Sequence, residues 1–226
     1  MSLLTVSEEC RAIGLRSGAI VFRGVKVGVS PVELQEEIAS SVAEIGATFS
    51  STAEIRSLPE VVKFREILKC VGINPRKHSP TIEILMQMAM KRGTLPAINN
   101  LVDAYNLVSL RTHCSMGAHD LDQIEVPVEL RILEAPCRFT PLGTSAKVEI
   151  PAGEFGYVDA RQRVLCRLDV QQADFSKVTS ATSSVLLIIE GTTFHTPAHL
   201  EESFEETIAI ISRYCGGRVE KLVKPM

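Results

Sequence analysis

The hydrophobic period changes once along this chain, and that change limits what the chain can fold into. From residue 31 to about 110, apolar residues recur three and four positions apart, the spacing of a helix face. Leu34, Ile38, Val42 and Ile45 make one stripe behind Pro31, with Ser30 as the expected cap. Val61, Phe64, Leu68 and Val71 make a second that stops at Gly72, and Ile82, Leu85, Met86 and Ala89 make a third after the turn NPRKHSP. From Glu125 the period shortens to β-rich runs, VPVELRILEA, EFGYVDA, RVLCRLDV and SSVLLIIEG, parted by Gly, Pro and charged turns. Strands are also expected at Leu3 to Val6 and Ala19 to Val27, and a last helix from Ala198 to about Cys215 with RVEKLV as a closing strand. The expected class is α+β, a helical layer over about residues 31–110 packed on a β-rich second half, sheet or sandwich.

A length of 226 residues, 45% of them hydrophobic, suits one domain over 1–226 with a sizeable core. No apolar run reaches the length of a membrane span, and MSLLTVSEECR lacks the basic head and apolar stretch of a leader, so a cytoplasmic protein without a membrane partner is expected. Six cysteines stand singly with no CxxC pair, which indicates reduced thiols and neither a zinc ribbon nor a disulfide scaffold. The net charge is −3, yet Lys63, Arg65, Lys69, Arg76, Lys77, Lys91 and Arg92 face only Glu66 and Glu83 within their segment. Such a local excess can meet phosphates, because local charge governs counterion release. A solvated helical face gives the same count.

Chemistry-bearing residues are sparse. His113, Cys114, His119, Asp120 and Asp122 fall within ten residues but match no zinc spacing, so no metal is expected there. His195 and His199 are four apart with Pro197 between them, which favours turn-capping or surface roles. No phosphate-cradling glycine loop, HExxH pair or GxSxG elbow occurs, which removes most nucleotide hydrolases, zinc proteases and α/β-hydrolases. The stretch LPAINNLVDAYNLVSL sets Asn99, Asn100, Asp103, Tyr105 and Asn106 among leucines and valines. These polar groups either tie the helix to its neighbours or form one wall of a pocket, and helical spacing allows both. The GAHDLDQI segment is expected as a turn closing such a pocket.

Three blocks in this region, SPTIEIL, LPAINNLVDAYN and GAHDL, stand in the order and spacing of a known pattern. They resemble the central tRNA-binding and editing domain of the phenylalanyl-tRNA synthetase beta subunit, whose blocks read R-P-S-x-E-A-L, L-P-x-I-N-x-x-V-D-x-x-N and H-A-[FY]-D-L. The resemblance spans roughly residues 55–195, with an N-terminal strand and helix part (1–54) and a C-terminal helix and strand (196–226) outside it. It implies RNA binding, with tRNA or aminoacyl-tRNA as partner and no DNA, and an ester-hydrolysing pocket that corrects misacylation, a second sieve where one pocket cannot reject a near isostere. It implies no cofactor and no metal.

Matching block to block, the family threonine falls on Tyr105, the family histidine on Gly117 and the family aromatic on His119. The family glutamate falls near Ile188, and Glu190, two residues on and on the same strand face, is positioned to replace it. The substrate pocket implied is Tyr105, Asn106, Ser109, Gly117, His119 and Cys166, with Glu190 as the catalytic side chain and Lys63, Arg65, Lys69, Arg76, Lys77 and Arg92 toward RNA. Water would be the nucleophile. The altered positions imply an amino acid other than the family's. A non-catalytic module that binds a free amino acid or small metabolite is the alternative.

Overall fold

The computed structural model describes residues 3–167 and 169–224. Strand β1 (Leu4–Val6) leads through a short helix α1 (Glu8–Ala12) into the long strand β2 (Leu15–Arg23). A run of helices follows: α2 (Val32–Thr48), α3 (Thr52–Ser57), α4 (Pro59–Cys70), α5 (Thr81–Arg92) and α6 (Asn100–Thr112). The chain then forms β3 (Ser115–Asp120), β4 (Val128–Ile132), β5 (Cys137–Phe139), β6 (Val148–Ile150), β7 (Phe155–Val158), β8 (Val164–Arg167) and β9 (Gln171–Gln172). After a 3-10 turn at Asp174–Ser176 come β10 (Ser184–Thr192), α7 (Pro197–Cys215) and β11 (Arg218–Val223).

Strand β10 explains how these pieces stack. SVLLIIEGT is buried along its whole length, so both faces need cover. Alternation sends Val185, Leu187 and Ile189 to one side and Leu186 and Ile188 to the other. The antiparallel sheet β11-β2-β10-β3 is therefore a middle layer. On its first face lie the helices, with Leu34 and Val42 of α2, Met86 of α5, Leu101 and Val108 of α6, and Phe204 and Ile211 of α7. On its second face lies the sheet β1-β4-β7-β8-β9, with Leu4, Leu130, Phe155 and Tyr157. No described helix is long and apolar enough to cross a membrane.

The α+β class is as expected, but the layering is not one half upon the other. The N-terminal part supplies a strand to each sheet: β1 pairs in parallel with β4, and β2 pairs with β10 from Leu15↔Thr192 to Arg23↔Ser184. A second strand apolar on both faces, LRSGAIVFR, is what β10 requires beside it. That strand starts four residues earlier than the sequence suggests and stops before Gly24, where φ is +76°. GAHDLDQI is corrected from a turn to a strand followed by a turn. Its apolar members Met116 and Ala118 face the helices, while Ser115, Gly117 and His119 face inward from the other side and conceal the alternation. The run RVLCRLDV is strand as far as Arg167, and its residue 168 lies outside the described residues. Ser30 does not cap α2, since its hydroxyl donates to Asp103 instead.

The polar groups of LPAINNLVDAYN are mostly ties between layers. Asn99 caps α6 by accepting from Val102 N–H at 2.9 Å. Asp103 accepts from Ile98 N–H, Ser30 Oγ and Gln35 Nε2. Asn100 bonds three separate backbone stretches, donating to the carbonyls of Lys26 and Tyr214 and accepting from Gly28 N–H at 2.8 Å. Asn100→Ala leaves these groups unsatisfied in a buried position, a loss of about 2 kcal/mol. We expect a lower urea midpoint with an unchanged slope; an unshifted midpoint shows that water replaces all three bonds.

Candidate active site

A row of polar side chains crosses the second face of the middle sheet. Register places Glu190 of β10 between Ser17 of β2 and Ser115 of β3, with Ile188 beside Gly117 one step along. Opposite them stand Tyr157 of β7 and its partner Cys166 of β8, and Tyr157 Oη lies 2.9 Å from Ser17 Oγ. The sheets part here around a cavity of about 180 Å³, which the N-terminus of α5 reaches with Thr81, α6 with Tyr105, and the loop after β8 with Asp169 and Val170. Such a volume equals that of about six waters, enough for a small polar group or side chain. A Cβ at Gly117 would meet nothing within 4 Å, so the missing side chain adds room.

The electrostatics come from two buried carboxyls. Asp169 sits at φ +52° and caps α5 from across the fold, its Oδ1 accepting from Thr81 N–H at 2.9 Å. Its Oδ2 and Ser115 Oγ are both buried and have no hydrogen-bond partner of normal geometry among the described residues, although the Ser115 hydroxyl is near enough to help hold the Asp169 carboxyl down. Burial pushes the Asp169 carboxyl up to about 6, although the Thr81 bonds hold it down. Burial, and then the charge of Asp169, push Glu190 well above the usual carboxylate range. The pocket thus holds two buried carboxyls that both keep their protons more tightly than free carboxylates do, and each favours the protonated form of the other. Burial also keeps Tyr157 and Cys166 protonated, so neither an ionised phenol nor a thiolate nucleophile is available. His119, its Nδ1 at 2.9 Å from Ser176 Oγ, is pushed down by burial to about 4 and stays neutral.

Of the residues singled out from sequence, the structure brings Tyr105, Gly117, His119, Cys166 and Glu190 around this cavity. Asn106 instead lines a crevice with Gln35, Leu95 and Asp103, and Ser109 is buried with its Oγ unbonded. Asp169, Ser115 and Tyr157 escaped sequence reasoning. Ser115 and Tyr157 carried only the alternation of their strands, and the αL conformation of Asp169 leaves no mark in composition. Among the cations, Arg65 is held 2.7 Å from the buried Glu83, and Lys63 lies 3.8 Å from Glu66. Lys69, Arg76, Lys77, Lys91 and Arg92 are exposed and make no ion pair among the described residues. Arg76 and Lys77 belong to the loop that runs into Thr81 at the cavity.

A larger groove of about 600 Å³ runs between α7 and β11. Most of its charged groups are already engaged, Glu201 with Lys224 and Arg16 with the carbonyls of Arg11 and Leu15, which leaves the exposed Glu205. The smaller cavity is the better site because two buried polar atoms, Asp169 Oδ2 and Ser115 Oγ, lack partners there beside a second buried carboxyl, whereas the groove offers only His195 Nε2.

Comparison with known proteins bears on the fold and the family. Over 98% of its length the chain is 23% identical to the phenylalanine–tRNA ligase beta subunit of Haemophilus ducreyi, of which the match covers 30%. It therefore spans less than a third of that relative. In fold it is similar to an N-terminal fragment of the phenylalanyl-tRNA synthetase beta subunit from Pyrococcus horikoshii, with a TM-score of 0.51 and 14% identity over 97% of this chain and 51% of the other. The profile of the B3/4 domain matches residues 63–216, from α4 to the end of α7. That is most of the chain, which belongs to the B3/4 domain family.

Proposed function

We propose that this protein binds the aminoacylated end of a tRNA and hydrolyses a misacylated ester in trans, with the aminoacyl group in the cavity between the two sheets. The observation that carries the reading is geometric: two buried polar atoms without a partner of normal geometry, Asp169 Oδ2 and Ser115 Oγ, line one cavity with the buried carboxyl of Glu190, which burial and Asp169 push up. A ligand bearing donors and an acceptor, such as the ammonium and carbonyl of an aminoacyl ester, satisfies all three. Ionised Asp169 is the group suited to accept a proton from attacking water, while Glu190 positions or donates. Arg76 and Lys77, beside the cavity, would meet the phosphates of the acceptor end. The lack of an ionised nucleophile also favours a second reading, a module that binds a free amino acid without catalysis.

Deacylation of a panel of aminoacyl-tRNAs, each charged with one amino acid, separates the two. We expect selective loss of one ester, slowed on the order of 100-fold in Asp169→Asn and Glu190→Gln. The Arg76→Ala/Lys77→Ala pair should lower the salt slope of tRNA binding by about 2. No ester cleaved faster than in buffer overturns hydrolysis, and a melting temperature raised by one free amino acid then supports the second reading.

A further inference from the structure

A second constellation lies on the helix side of the middle sheet. Cys114 Sγ and one ring nitrogen each from His195 and His199 fall within 4.8 Å of one another. Three elements meet there: Cys114 stands between α6 and β3, His195 in the turn after β10, and His199 in the first turn of α7. The turn is closed by His195 N–H donating to the Thr192 carbonyl, which brings together two histidines that Pro197 separates in sequence. His199 Nε2 donates to the Thr112 carbonyl at 2.7 Å, which fixes its proton there and leaves Nδ1 as a lone pair. Metal-binding histidines are commonly oriented in this way. His195 is 7% exposed, and its Nε2 is buried with no hydrogen-bond partner among the described residues. Cys114 is fully buried, and its Sγ lies 3.5 Å from Ser203 Oγ, a weak contact.

We propose that Cys114, His195 and His199 form a binding site for a divalent cation of the zinc type. One thiolate and two imidazoles suit zinc over the hard cations that take oxygen ligands. A cavity of about 250 Å³ lined by Glu60, Thr112, His113, His195 and His199 opens beside the cluster and offers both an entry path and room for water as fourth ligand. Zinc bonds of roughly 2.0–2.3 Å require the three side chains to draw inward from their present spacing. Loading deprotonates Cys114, whose proton leaves to solvent. The His195 proton moves to Nδ1, where Thr192 Oγ1 lies 3.4 Å away to accept it in place of the present bond from Thr192 N–H. Cys114 adjoins Ser115 and Thr192 ends the strand carrying Glu190, so the ion would clip together the two strands that bear the polar row.

The test is metal loading of the chelator-stripped full chain, read by retained zinc, melting temperature and the cobalt(II) spectrum. One equivalent of zinc retained after desalting, a raised melting temperature and a thiolate-to-cobalt charge-transfer band are expected. Cys114→Ser should abolish the band, and His195→Gln should weaken zinc binding on the order of 100-fold. Should Cys114→Ser fail to fold, the Cys70→Ser/Cys137→Ser variant decides: a retained band sustains the site, and a lost band assigns the metal to surface thiols and overturns it. Absence of stoichiometric zinc, or equal binding by wild type and a folded Cys114→Ser, also overturns it.

Discussion

Replacing Glu83 with alanine lowers the stability of the protein by about 3–5 kcal/mol, the cost of leaving a buried charge without its partner. The Glu83 side chain on α5 is fully buried, with Arg65 Nη1 at 2.7 Å, Arg56 Nε at 3.1 Å and Gln87 Nε2 at 2.8 Å. The two arginines are not equivalent. Arg56 is 51% exposed and can turn to water when its partner is lost, so its share is small. Arg65 is 19% exposed and keeps a largely desolvated charge, which makes up most of the loss. Glu83→Gln retains the shape and one acceptor and costs less. The double variant Glu83→Met/Arg65→Met should be more stable than the sum of its single changes, because it removes both charges together. Urea midpoints for wild type, Glu83→Met, Arg65→Met and the double variant measure the coupling, and those for Glu83→Ala and Glu83→Gln measure the cost of losing the carboxylate. A loss under about 1 kcal/mol for Glu83→Ala would show that Arg65 re-solvates freely. Arg65 would then also be free to join Lys69, Arg76 and Lys77 in meeting phosphates.

The helices were legible because each buries one stripe, and the strand β10 because its apolar run is too short for a helix and is followed by glycine and threonines. The middle-layer role of that strand was not legible. It depends on β2, more than 150 residues away in sequence, supplying a second strand apolar on both faces. The helices α1 and α3 were missed because neither is long enough to show a period. In the site, Glu190 could be reached by counting two residues from Ile188 along a strand, since strand side chains alternate. Asp169 could not, because its position depends on a loop that crosses to the N-terminus of α5 and on a left-handed backbone that sequence does not announce. The asparagines at the start of α6 belong with Asp169. The sequence allows Asn99 as a tie or a pocket wall but does not mark it as the cap, because the helix begins at Asn100 and not at Leu95-Pro96, and the three-way tie at Asn100 exists only once residues 26, 28 and 214 are brought together.

Asp169→Asn should stabilise the protein at neutral pH while removing most of the ester hydrolysis proposed above. Burial raises this carboxyl from 3.8 to about 6 in the folded chain, so the folded state holds the proton more tightly than the unfolded state does. Stability from that preference is fully present below pH 3.8 and is lost as pH rises through about 6, a change of roughly 3 kcal/mol. His119 runs the other way. Its imidazole is lowered from 6.5 to about 4, so its contribution is present above pH 6.5 and is lost as pH falls through about 4. The two changes occupy nearly the same window with opposite sign, and the wild-type stability curve should be almost flat between pH 4 and 6 on their account. The variant uncovers what they hide. Asparagine cannot titrate but still offers Oδ1 to Thr81 N–H, so its advantage over wild type should grow from pH 4 to 6 and level at about 1–3 kcal/mol above pH 7. A difference that stays flat with pH would mean that Asp169 titrates near its ordinary value in the folded chain. The gain at neutral pH and the loss of the proposed hydrolysis would have one origin: an ionised carboxylate held in a buried pocket destabilises the empty protein, and a ligand that brings donors to Asp169 Oδ2 relieves that strain. A stabilised Asp169→Asn with full activity would separate the two and remove Asp169 from the reaction, leaving the pocket's chemistry to Glu190 and Ser115.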